Sequence, residues 1–583
     1  MSNRHLSLCL LLSLSPLGIA QQALVPEFSY VSHISGISTG YRPATSFGMG
    51  TINISVMGGG VGIGDFNNDG WEDIYVVTGG AAGDQLLINN QDGTFTDMAA
   101  SAGLAQPHMG MGCSVGDFDN NGFLDIFVTS QGPTGTTNTS GKHLLLKNNG
   151  NLTFTNVATT AGVNTTSPGD PDGLGSTFAD YDRDGDLDLY VSGWIPNSGG
   201  NRLFQNDGSG NFTDVTAATG LNDNAIRGFA PRFVDMDGDR WPELTIAADF
   251  GTSRYFVNNG GLFTDMTVAS GTGLDGNGMG QAIGDFNGDG LFDWYVSSIH
   301  TVDPPSINVP GTGNMEYRNM GNHNYVEVSQ TSGTNDGGWG WGAVAVDLNN
   351  DGMIDLAETN GFKAYNGSSV LEWANEPCFL WLNESAGQFR ECAAVTGFDS
   401  EGFGRGLVHF DYDKDGDQDL LLALNSGRLT LYRNDCSGDR AHFLRVALDT
   451  STSDTLAPNG IGTKLRLNVG GRELLRMIDS GCSYLSTNEL WAHFGLRGAI
   501  TATSLKIEWS NGRDTYINNP TVDTHMVIRY CPADWNGHDG LTAADLADFT
   551  ADWNGGTADF NFDGVTDAAD LTEFTAAYNG GCP

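Results

Sequence analysis

Basic residues are scarce in this chain of 583 residues: 27 Lys and Arg stand against 70 Asp and Glu, for a net charge of −43. The basic residues are scattered and form no cluster. Because a protein that binds nucleic acid needs clustered Lys and Arg to neutralise phosphates, this composition argues against nucleic acid as a partner. The expected partner is instead an extracellular protein or a polysaccharide.

Long hydrophobic runs are missing beyond the first 20 residues, so the sequence predicts no transmembrane segment. Residues 1–20 are typical of a secretory signal peptide. Arg4 and His5 give a positive start, residues 6–17 are apolar, and Gly18-Ile-Ala20 suits cleavage before Gln21. The expected location is therefore outside the cell, either secreted or at the cell surface.

Catalytic motifs are missing as well. The sequence has no Gly-x-Ser-x-Gly elbow, no His-Glu-x-x-His, no P-loop and no Cys-x-x-Cys, and its 11 histidines are scattered. A pair of glycosidase acids can still be distant in sequence and hidden among many carboxylates. A binding or scaffold role is therefore the preferred hypothesis, and a glycan-active extracellular enzyme is the alternative.

Cysteine is sparse, with seven residues after position 20. Secretion permits disulfides, but sequence alone leaves their connectivity open. Cys113 lies in a Gly-rich predicted strand and is expected to be a buried thiol. Cys378 and Cys392 flank a predicted hairpin, and Cys436 and Cys482 lie at the start and in the middle of the next domain. Cys531 and Cys582 bracket the last one. We predict a bond between Cys531 and Cys582, because they enclose a small duplicated unit whose ends need joining.

One short acidic pattern is abundant. It occurs seven times as Asp-x-Asp/Asn-x-Asp/Asn, usually followed by Gly and closed by Asp or Glu at position 9. We number these segments loop 1 to loop 7. Their residues at positions 1, 3, 5 and 9 are Asp65, Asn67, Asp69 and Asp73 in loop 1; Asp117, Asp119, Asn121 and Asp125 in loop 2; Asp180, Asp182, Asp184 and Asp188 in loop 3; Asp235, Asp237, Asp239 and Glu243 in loop 4; Asp285, Asn287, Asp289 and Asp293 in loop 5; Asp347, Asn349, Asp351 and Asp355 in loop 6; and Asp411, Asp413, Asp415 and Asp419 in loop 7.

The spacing of these side chains indicates a cation site. Alternate residues of a tight turn can point to one centre, and calcium binds six to eight oxygens, whereas magnesium demands a strict octahedron. The loops hold 24 carboxylates at these positions, and carboxylates this close repel one another without a cation. That Asp, Asn and Gly merely mark turns is a reasonable interpretation of one copy but not of seven. We therefore predict Ca²⁺ as the cofactor, with the weakest pattern in loop 4, where Arg240 replaces Gly.

Each loop lies inside a repeat of four predicted strands. A Gly-rich apolar run precedes the loop and a β-rich run follows it. A third strand ends in an Asn-rich turn and a fourth begins with an aromatic residue. Four-stranded sheets repeated radially form a β-propeller. Seven loops therefore predict seven blades over residues 21–440, with residues 28–37 supplying the outer strand of the last blade and hiding an edge.

These repeats resemble FG-GAP/VCBS repeats, which form the calcium-bearing propeller of integrin α-chains. The resemblance covers roughly residues 28–440. It implies a mainly β fold and bound calcium.

Residues 441–529 contain no such loop. They carry Ser480-Gly-Cys-Ser-Tyr-Leu-Ser-Thr487 and His493-Phe-Gly-Leu496, and alternating apolar residues after Lys464 and after Leu505 predict half-buried strands. The region resembles the ASPIC/UnbV domain, found behind such repeats in cartilage acidic protein and in many bacterial secreted proteins. Cys482 stands where that family usually has the second Gly of Ser-Gly-Gly-Ser-Tyr. The resemblance implies no established activity, and structural roles are expected for Tyr484 and His493.

Residues 531–583 contain a duplication with a period of 25 residues, in which Asp545-Leu-Ala-Asp-Phe matches Asp570-Leu-Thr-Glu-Phe. Leu546, Phe549 and Trp553 are spaced for one face of a helix. An EF-hand-like loop precedes each predicted helix, and His538 and Asp539 weaken the first loop. The pair resembles a dockerin, in particular the dockerin-like modules of planctomycete secreted proteins, which implies a cohesin-like partner. The candidate ligands are Asp534, Asn536 and Asp545 in the first loop and Asp559, Asn561, Asp563, Asp567 and Asp570 in the second.

Strand direction predicts where a ligand binds. The cation loops join first to second strands and share one face, so the connections from second to third strands open on the other. Three of these connections are long, at residues 131–142, 300–313 and 362–377, and such loops carry function more often than the scaffold. The candidate ligand-binding residues are His300, Tyr365 and Trp373. The sequence thus predicts a mainly β, secreted, calcium-binding adhesion or scaffold protein: a seven-bladed propeller, a small β-rich domain and an α-helical EF-hand-like module.

Overall fold

The computed structural model describes residues 25–581 except 38, 44–47, 50–51, 132–141, 165–171, 301–310, 363–375, 437–440, 539 and 561–564. The predicted signal peptide lies outside the described residues. No helix in this part of the chain is long and apolar enough to cross a membrane.

Seven antiparallel four-stranded sheets occupy the described residues up to Asn434. We name them sheet 1 to sheet 7 after their loops. The strands are Val61–Gly64, Asp73–Val76, Gln85–Asn89 and Phe95–Asp97 in sheet 1; Gly110–Gly116, Asp125–Ser130, Leu144–Asn148 and Phe154–Asn156 in sheet 2; Ser176–Ala179, Asp188–Val191, Arg202–Asn206 and Phe212–Asp214 in sheet 3; Gly228–Val234, Glu243–Ala248, Arg254–Asn258 and Phe263–Asp265 in sheet 4; Gln281–Gly284, Asp293–Val296, Met315–Asn319 and Tyr325–Glu327 in sheet 5; Gly340–Val346, Asp355–Asn360, Phe379–Ser385 and Gln388–Glu391 in sheet 6; and Gly404–Phe410, Asp419–Leu424, Leu429–Asn434 and Phe28–Tyr30 in sheet 7.

The arrangement of these sheets is propeller-like. Strands follow chain order within sheets 1 to 6, and each cation loop joins the first two strands of its sheet. The first strand of sheet 7 contacts the first strand of sheet 1. Sheet 7 takes its outer strand from the N-terminal part of the chain, with Phe28 paired to Asn434. The Phe28 ring packs 5.7 Å from that of Phe398.

Burial explains the strand patterns. First and second strands are covered on both faces, and all residues of Val61–Gly64 and Asp73–Val76 are buried. The outer strands of sheets 1 to 4 bury their leading aromatic residue and expose the next two, as Phe95–Asp97 does. One-turn helices follow five outer strands and end at glycines with left-handed φ, such as Gly103 at 83°, where glycine carries no Cβ penalty. These helices are Ala99–Ala102, Ala158–Ala161, Thr267–Ser270, Ser329–Ser332 and Ala393–Thr396.

A second β-rich unit, which we call the C-terminal domain, follows. The expected alternation is confirmed in Ser504–Glu508, where Leu505 and Ile507 are buried and their neighbours are half-buried. The domain contains a sheet of Ala492–Gly495, Phe443–Asp449 and Thr524–Arg529, and a sheet of Arg472–Met477, Lys464–Val469, Ser504–Glu508 and Asp514–Asn518.

The remaining short elements of the described chain are the ribbon Gly48–Met49 with Ile52–Asn53 and the 3₁₀ turns Ile54–Val56 and Pro458–Gly460.

Two helices, Ala543–Gly555 and Ala568–Gly580, form the terminal module. Phe549 and Phe574, at equivalent places in the duplication, stack at 3.8 Å. The expected apolar face of the first helix is only partly buried, because Leu546 is 40% exposed. The module contacts the C-terminal domain, with the Arg513 guanidinium 4.0 Å above the Trp535 ring.

Cys113, Cys378, Cys392, Cys436 and Cys482 are buried free thiols. The expectation for Cys113 is confirmed, whereas the pairs Cys378 with Cys392 and Cys436 with Cys482 are not bonded. Burial raises the pKa of the Cys378 thiol to about 12, which disfavours the reactive thiolate. Cys582 lies outside the described residues, so its bond to Cys531 stays a prediction.

Candidate metal centres

The position-1 aspartate organises each cation loop. In loop 1 the Oδ1 of Asp65 accepts the N–H of Asp69 at 3.0 Å, and its Oδ2 accepts the N–H of Gly70 at 2.6 Å. The bond from the position-6 N–H recurs in all seven loops. Gly70 has φ of 86°, which explains why glycine is preferred at that position.

Loop 4 keeps this frame without its glycine. Arg240 adopts a left-handed φ of 73° and donates its N–H to Asp235 Oδ2 at 2.9 Å. Its guanidinium pairs with Asp514 of the C-terminal domain at 2.5 Å. A contact to another domain thus accompanies the unfavourable backbone conformation.

Four loops gather three carboxylates around one point. One oxygen from each of three acids lies within 4.8 Å of the others in loops 2, 3, 4 and 7. Asp119 Oδ1, Asp182 Oδ1 and Asp411 Oδ1 are buried and have no hydrogen-bond partner among the described residues. Leaving buried carboxylate oxygens unpaired is costly, and a hard cation removes that cost. The residues present therefore fit a metal ion held by oxygens. The triplets are Asp117, Asp119 and Asp125; Asp180, Asp182 and Asp188; Asp235, Asp237 and Asp239; and Asp411, Asp413 and Asp419.

The position-9 acid has a second role that the spacing did not indicate. In loop 1, Asp73 accepts the N–H of Phe66 at 3.1 Å and that of Asn89 at 2.8 Å. The same two bonds recur in the other loops, although the Asn258 bond to Glu243 in loop 4 is long, at 3.5 Å. This carboxylate therefore fastens its loop to the third strand of the same sheet.

An asparagine at the end of each third strand joins neighbouring sheets. Its side-chain amide donates to the backbone carbonyl after the position-1 Asp of the preceding loop. The bond from Asn89 to Tyr412 connects sheet 1 to loop 7 and completes a cycle. Sequence reasoning recorded the Asn-rich turns but missed this function. The bonds run from Asn89 to Tyr412 at 2.8 Å, Asn148 to Phe66 at 2.9 Å, Asn206 to Phe118 at 2.8 Å, Asn258 to Tyr181 at 2.8 Å, Asn319 to Met236 at 2.8 Å, Asn383 to Phe286 at 2.7 Å and Asn434 to Leu348 at 2.8 Å.

Three acids, one each in loops 2, 3 and 7, have raised pKa values. Burial raises the pKa of Asp117 to about 6. Burial, with the nearby Asp184 carboxylate, raises the pKa of Asp182 to about 6. Burial, with Asp415 and Asp411 nearby, raises the pKa of Asp413 to about 7.

We expect the chain in EDTA to lose stability as the pH rises from about 4 to about 7. Because the folded-state pKa of Asp413 lies above its ordinary 3.8, protons bind the folded chain more tightly than the unfolded chain. That stabilisation is complete below about pH 4 and is lost as the pH rises through about 6 to 7. Thermal melts in EDTA and in excess calcium test this. Calcium should restore most stability at the higher pH, and a melt in EDTA that does not change with pH would contradict the argument.

The C-terminal domain covers much of the cation-loop face. The Arg445 guanidinium, 1% exposed, donates to Asp411 Oδ2 at 3.0 Å and also pairs with Glu489. Lys464 pairs with Asp235 Oδ2. These contacts use the oxygen that also accepts the position-6 N–H. Asp411 Oδ1 has no partner among the described residues, whereas Asp235 Oδ1 accepts the Gly238 N–H at 2.7 Å. Loops 1 and 2 instead border an open cleft of about 760 Å³ beside the C-terminal domain.

Residues 480–487 of the C-terminal domain, which we call the plug, fill the centre of the ring. The Leu485 carbonyl accepts the Cys113 N–H at 3.0 Å, and the Ser483 carbonyl accepts the Gln281 N–H at 2.8 Å. Ser483 Oγ donates to the Leu407 carbonyl at 2.6 Å. These partners lie on the first strands of sheets 2, 5 and 7. The plug is buried throughout, so the structural role expected for Tyr484 fits its place in the ring.

The loops of the terminal module are described in part. Asp570 accepts the N–H of Phe560 at 2.6 Å and that of Asp567 at 2.7 Å, and Asp545 accepts the N–H of Asn536 at 3.1 Å. Each acid also lies in the first turn of its helix and completes a capping box, because Asp545 accepts the N–H of the N-cap residue Thr542 and Asp570 accepts that of the N-cap residue Asp567. Asn561 and Asp563 lie outside the described residues, and calcium in this module stays a prediction.

One of the three predicted ligand-binding residues is described. His300 is half-buried at the end of sheet 5, and its Nδ1 lies 3.0 Å from Asp336 Oδ1. That hydrogen bond raises the pKa of His300. Tyr365 and Trp373 lie outside the described residues.

Family comparisons agree with the two larger parts of this architecture. Residues 65–128 and 235–296, which hold loops 1, 2, 4 and 5, match the FG-GAP-like repeat. Residues 453–533 match the ASPIC and UnbV family. The second match includes the plug. These matches support an FG-GAP and ASPIC/UnbV core, and the dockerin-like resemblance remains a prediction.

The chain is also similar to curated vertebrate proteins. It is 28% identical to cartilage acidic protein 1 of Xenopus tropicalis over 271 residues, which is 45% of this chain and 38% of that protein. It is 28% identical to cartilage acidic protein 1 of Mus musculus over 223 residues, which is 36% of this chain and 32% of that protein. The match thus spans less than two fifths of either relative.

Solved structures with a similar arrangement are distant in sequence. BBS1N in complex with ARL6DN is 10% identical with a TM-score of 0.38, covering 68% of this chain and 94% of that chain. The exotype rhamnogalacturonan lyase YesX is 12% identical with a TM-score of 0.35, covering 68% of this chain and 75% of that chain. At these scores the likeness supports no functional argument.

Proposed function

We propose that the chain is a secreted calcium-binding protein with a seven-bladed propeller that serves as an extracellular binding or scaffold protein. The observation that supports calcium binding is a set of buried carboxylate oxygens in the loops that have no hydrogen-bond partner among the described residues. They belong to Asp119, Asp182, Asp411 and Asp413. Calcium accepts such clustered oxygens in flexible geometry, whereas magnesium retains several waters and a strict octahedron.

Seven repeats support seven blades. Each repeat donates one asparagine bond to the loop of its neighbour, and the bond from Asn89 to Tyr412 returns the series to its start. A cycle of seven equivalent bonds is what a closed ring of seven blades requires.

One face of the proposed propeller is available for binding a partner. The plug occupies the ring centre and the C-terminal domain covers loops 4, 6 and 7. The connections from second to third strands lie on the opposite face from these loops. We therefore assign partner binding to that face. The terminal module, held by calcium and a Cys531–Cys582 bond, is proposed to dock to a cohesin-like partner.

Affinity capture tests this function. The calcium-loaded chain, immobilised, is exposed to extracellular proteins and polysaccharides, and the retained material is eluted and identified. We expect a specific extracellular protein or polysaccharide to be retained and recovered intact. Recovery of shortened glycan would instead support the enzyme alternative, and retention of nothing beyond an inert protein control would contradict the binding role.

A further inference from the structure

Three side chains form a compact stack at the end of the ring opposite the cation loops. The Arg227 guanidinium lies 5.0 Å from the Trp194 ring and 5.0 Å from the Phe250 ring. The two rings are 6.3 Å apart. Trp194 forms the buried base of the stack, and its indole N–H donates to Asp249 Oδ2 at 3.0 Å.

Topology places all of these residues at one end. Trp194 follows the second strand of sheet 3, and Asp249 and Phe250 follow the second strand of sheet 4. Arg227 directly precedes the first strand of sheet 4, whose other end leads into loop 4. The stack therefore lies on the face to which we assigned partner binding.

Phe250 has a conformation that packing alone does not explain. Its φ is 54°, a region that costs a non-glycine residue on the order of 1 kcal/mol or more. Its side chain is nevertheless 57% exposed, so burial recovers little of that cost. The turn holds it there, because its N–H donates to Asp249 Oδ1 at 3.0 Å. Strained backbone conformations of this kind cluster at ligand clamps and other functional sites.

The Arg227 guanidinium has hydrogen-bond donors that are available to a ligand. It donates no hydrogen bond to any residue in the described part of the chain, whereas the neighbouring Arg254 is paired with Asp223 at 2.9 Å. The Arg227 backbone is fixed to the same turn, since its N–H donates to Thr252 Oγ1 at 3.0 Å. A positioned guanidinium with free donors, beside an exposed ring and the Asp249 carboxylate, presents donors, an acceptor and a flat apolar surface together.

Such a surface fits a sugar residue. A pyranose has an apolar face that stacks on an aromatic ring and a rim of hydroxyl groups that both accept and donate hydrogen bonds. The net charge of −43, with Asp223 and Asp249 adjacent, disfavours a polyanionic chain. We propose that Phe250, Arg227 and Asp249, supported by Trp194, form a subsite for a neutral sugar residue of an extracellular polysaccharide. This proposal rests on the binding function proposed above and names its ligand class.

The test titrates the calcium-loaded full chain with cellohexaose, xylohexaose, mannohexaose and a neutral galactan oligosaccharide, by calorimetry and ligand-observed NMR. We expect one of them to bind in about the millimolar range, as one stacked residue allows. Arg227→Gln should weaken binding about tenfold by removing charged donors. Phe250→Gly should abolish detectable binding while keeping or raising the melting temperature, because glycine relieves the strained φ. Leu262→Ala, at an equally exposed site (58%) in the same sheet, should leave binding unchanged.

Each other outcome has a defined meaning. Binding that Phe250→Gly and Arg227→Gln leave intact would place the sugar elsewhere and overturn the proposal. Pentagalacturonate is titrated in the same way as an anionic comparison. If it binds and none of the neutral oligosaccharides does, the proposal of a neutral sugar ligand is rejected. If no oligosaccharide binds while calcium stabilises the chain and a protein partner is captured, the sugar subsite fails and the binding function stands. If calcium has no effect and nothing is captured, the binding function itself fails.

Discussion

Removing calcium with EDTA is expected to lower the melting temperature of this protein sharply, and magnesium is expected to restore little of it. An ion that binds only the folded chain stabilises it by about 4 kcal/mol per site at a thousandfold excess over Kd. Several occupied loops would therefore contribute as much as the whole stability of an ordinary domain, roughly 5–15 kcal/mol. The structural reason is the set of unpaired, buried oxygens, for example Asp182 Oδ1 and Asp413 Oδ1.

Single substitutions separate cation binding from general acidity. Asp182→Asn and Asp413→Asn remove one negative charge each from the centre of a loop and should reduce the stabilisation by calcium. Asp92→Asn removes an equal charge from an exposed turn, where the carboxylate only accepts hydrogen bonds from Thr94, and should leave it unchanged. A melt that EDTA does not shift, or an equal effect of all three variants, would refute calcium as the source of stability.

Much of this fold could be predicted because its signals are local and repeated. In six of the seven loops the frame combines Asp at position 1 with Gly at position 6, and both stand in the sequence at the expected spacing, as in Asp65 and Gly70. In the sequence, apolar and polar residues alternate in strands such as Ser504–Glu508, and this alternation identified them. Such patterns are dictated by turn geometry and pleat, which a few neighbouring residues determine.

The remaining features depend on contacts that are distant in sequence. The hydrogen bond from Asn89 to Tyr412 joins residues 323 positions apart. No residue near Asn89 in the sequence indicates which backbone carbonyl its side chain contacts. The plug holds four Ser and Thr residues among its eight, a composition typical of a surface loop. It is buried because its carbonyls and hydroxyls match backbone groups of the inner strands, such as Cys113 and Leu407. A single sequence does not show this match.

The structure also shows where several of the few basic residues form ion pairs. Arg445 and Lys464 pair with position-1 acids of loops 7 and 4, and Arg240 of loop 4 reaches back to Asp514. Basic side chains are thus concentrated where the C-terminal domain meets the cation loops. The sequence alone presented them as scattered, because these pairs join positions that are distant in sequence, 274 residues apart for Arg240 and Asp514.

A chain that begins at residue 45 is expected to lose the integrity of sheet 7. It lacks the strand Phe28–Tyr30, whose pairing with Leu429–Asn434 covers the outer edge of that sheet. It also lacks the buried side chains of Phe28, Val31, Ile37 and Tyr41. Burial of each large apolar side chain contributes about 1.5–3 kcal/mol, so their combined loss approaches the stability of a whole domain.

Unpaired strand edges recruit other chains, so the shortened protein should aggregate and should show rapid amide exchange and protease cleavage at residues 429–434. The matched control begins at residue 25, which retains the strand, and should remain monomeric with an unchanged melt. Light scattering, hydrogen exchange and limited proteolysis on both proteins in calcium make the comparison. If the shortened chain is monomeric and melts like its control, the N-terminal strand does not hold sheet 7 together. The seven-blade ring would then have to close through the inner strands and the bond from Asn89 to Tyr412 alone.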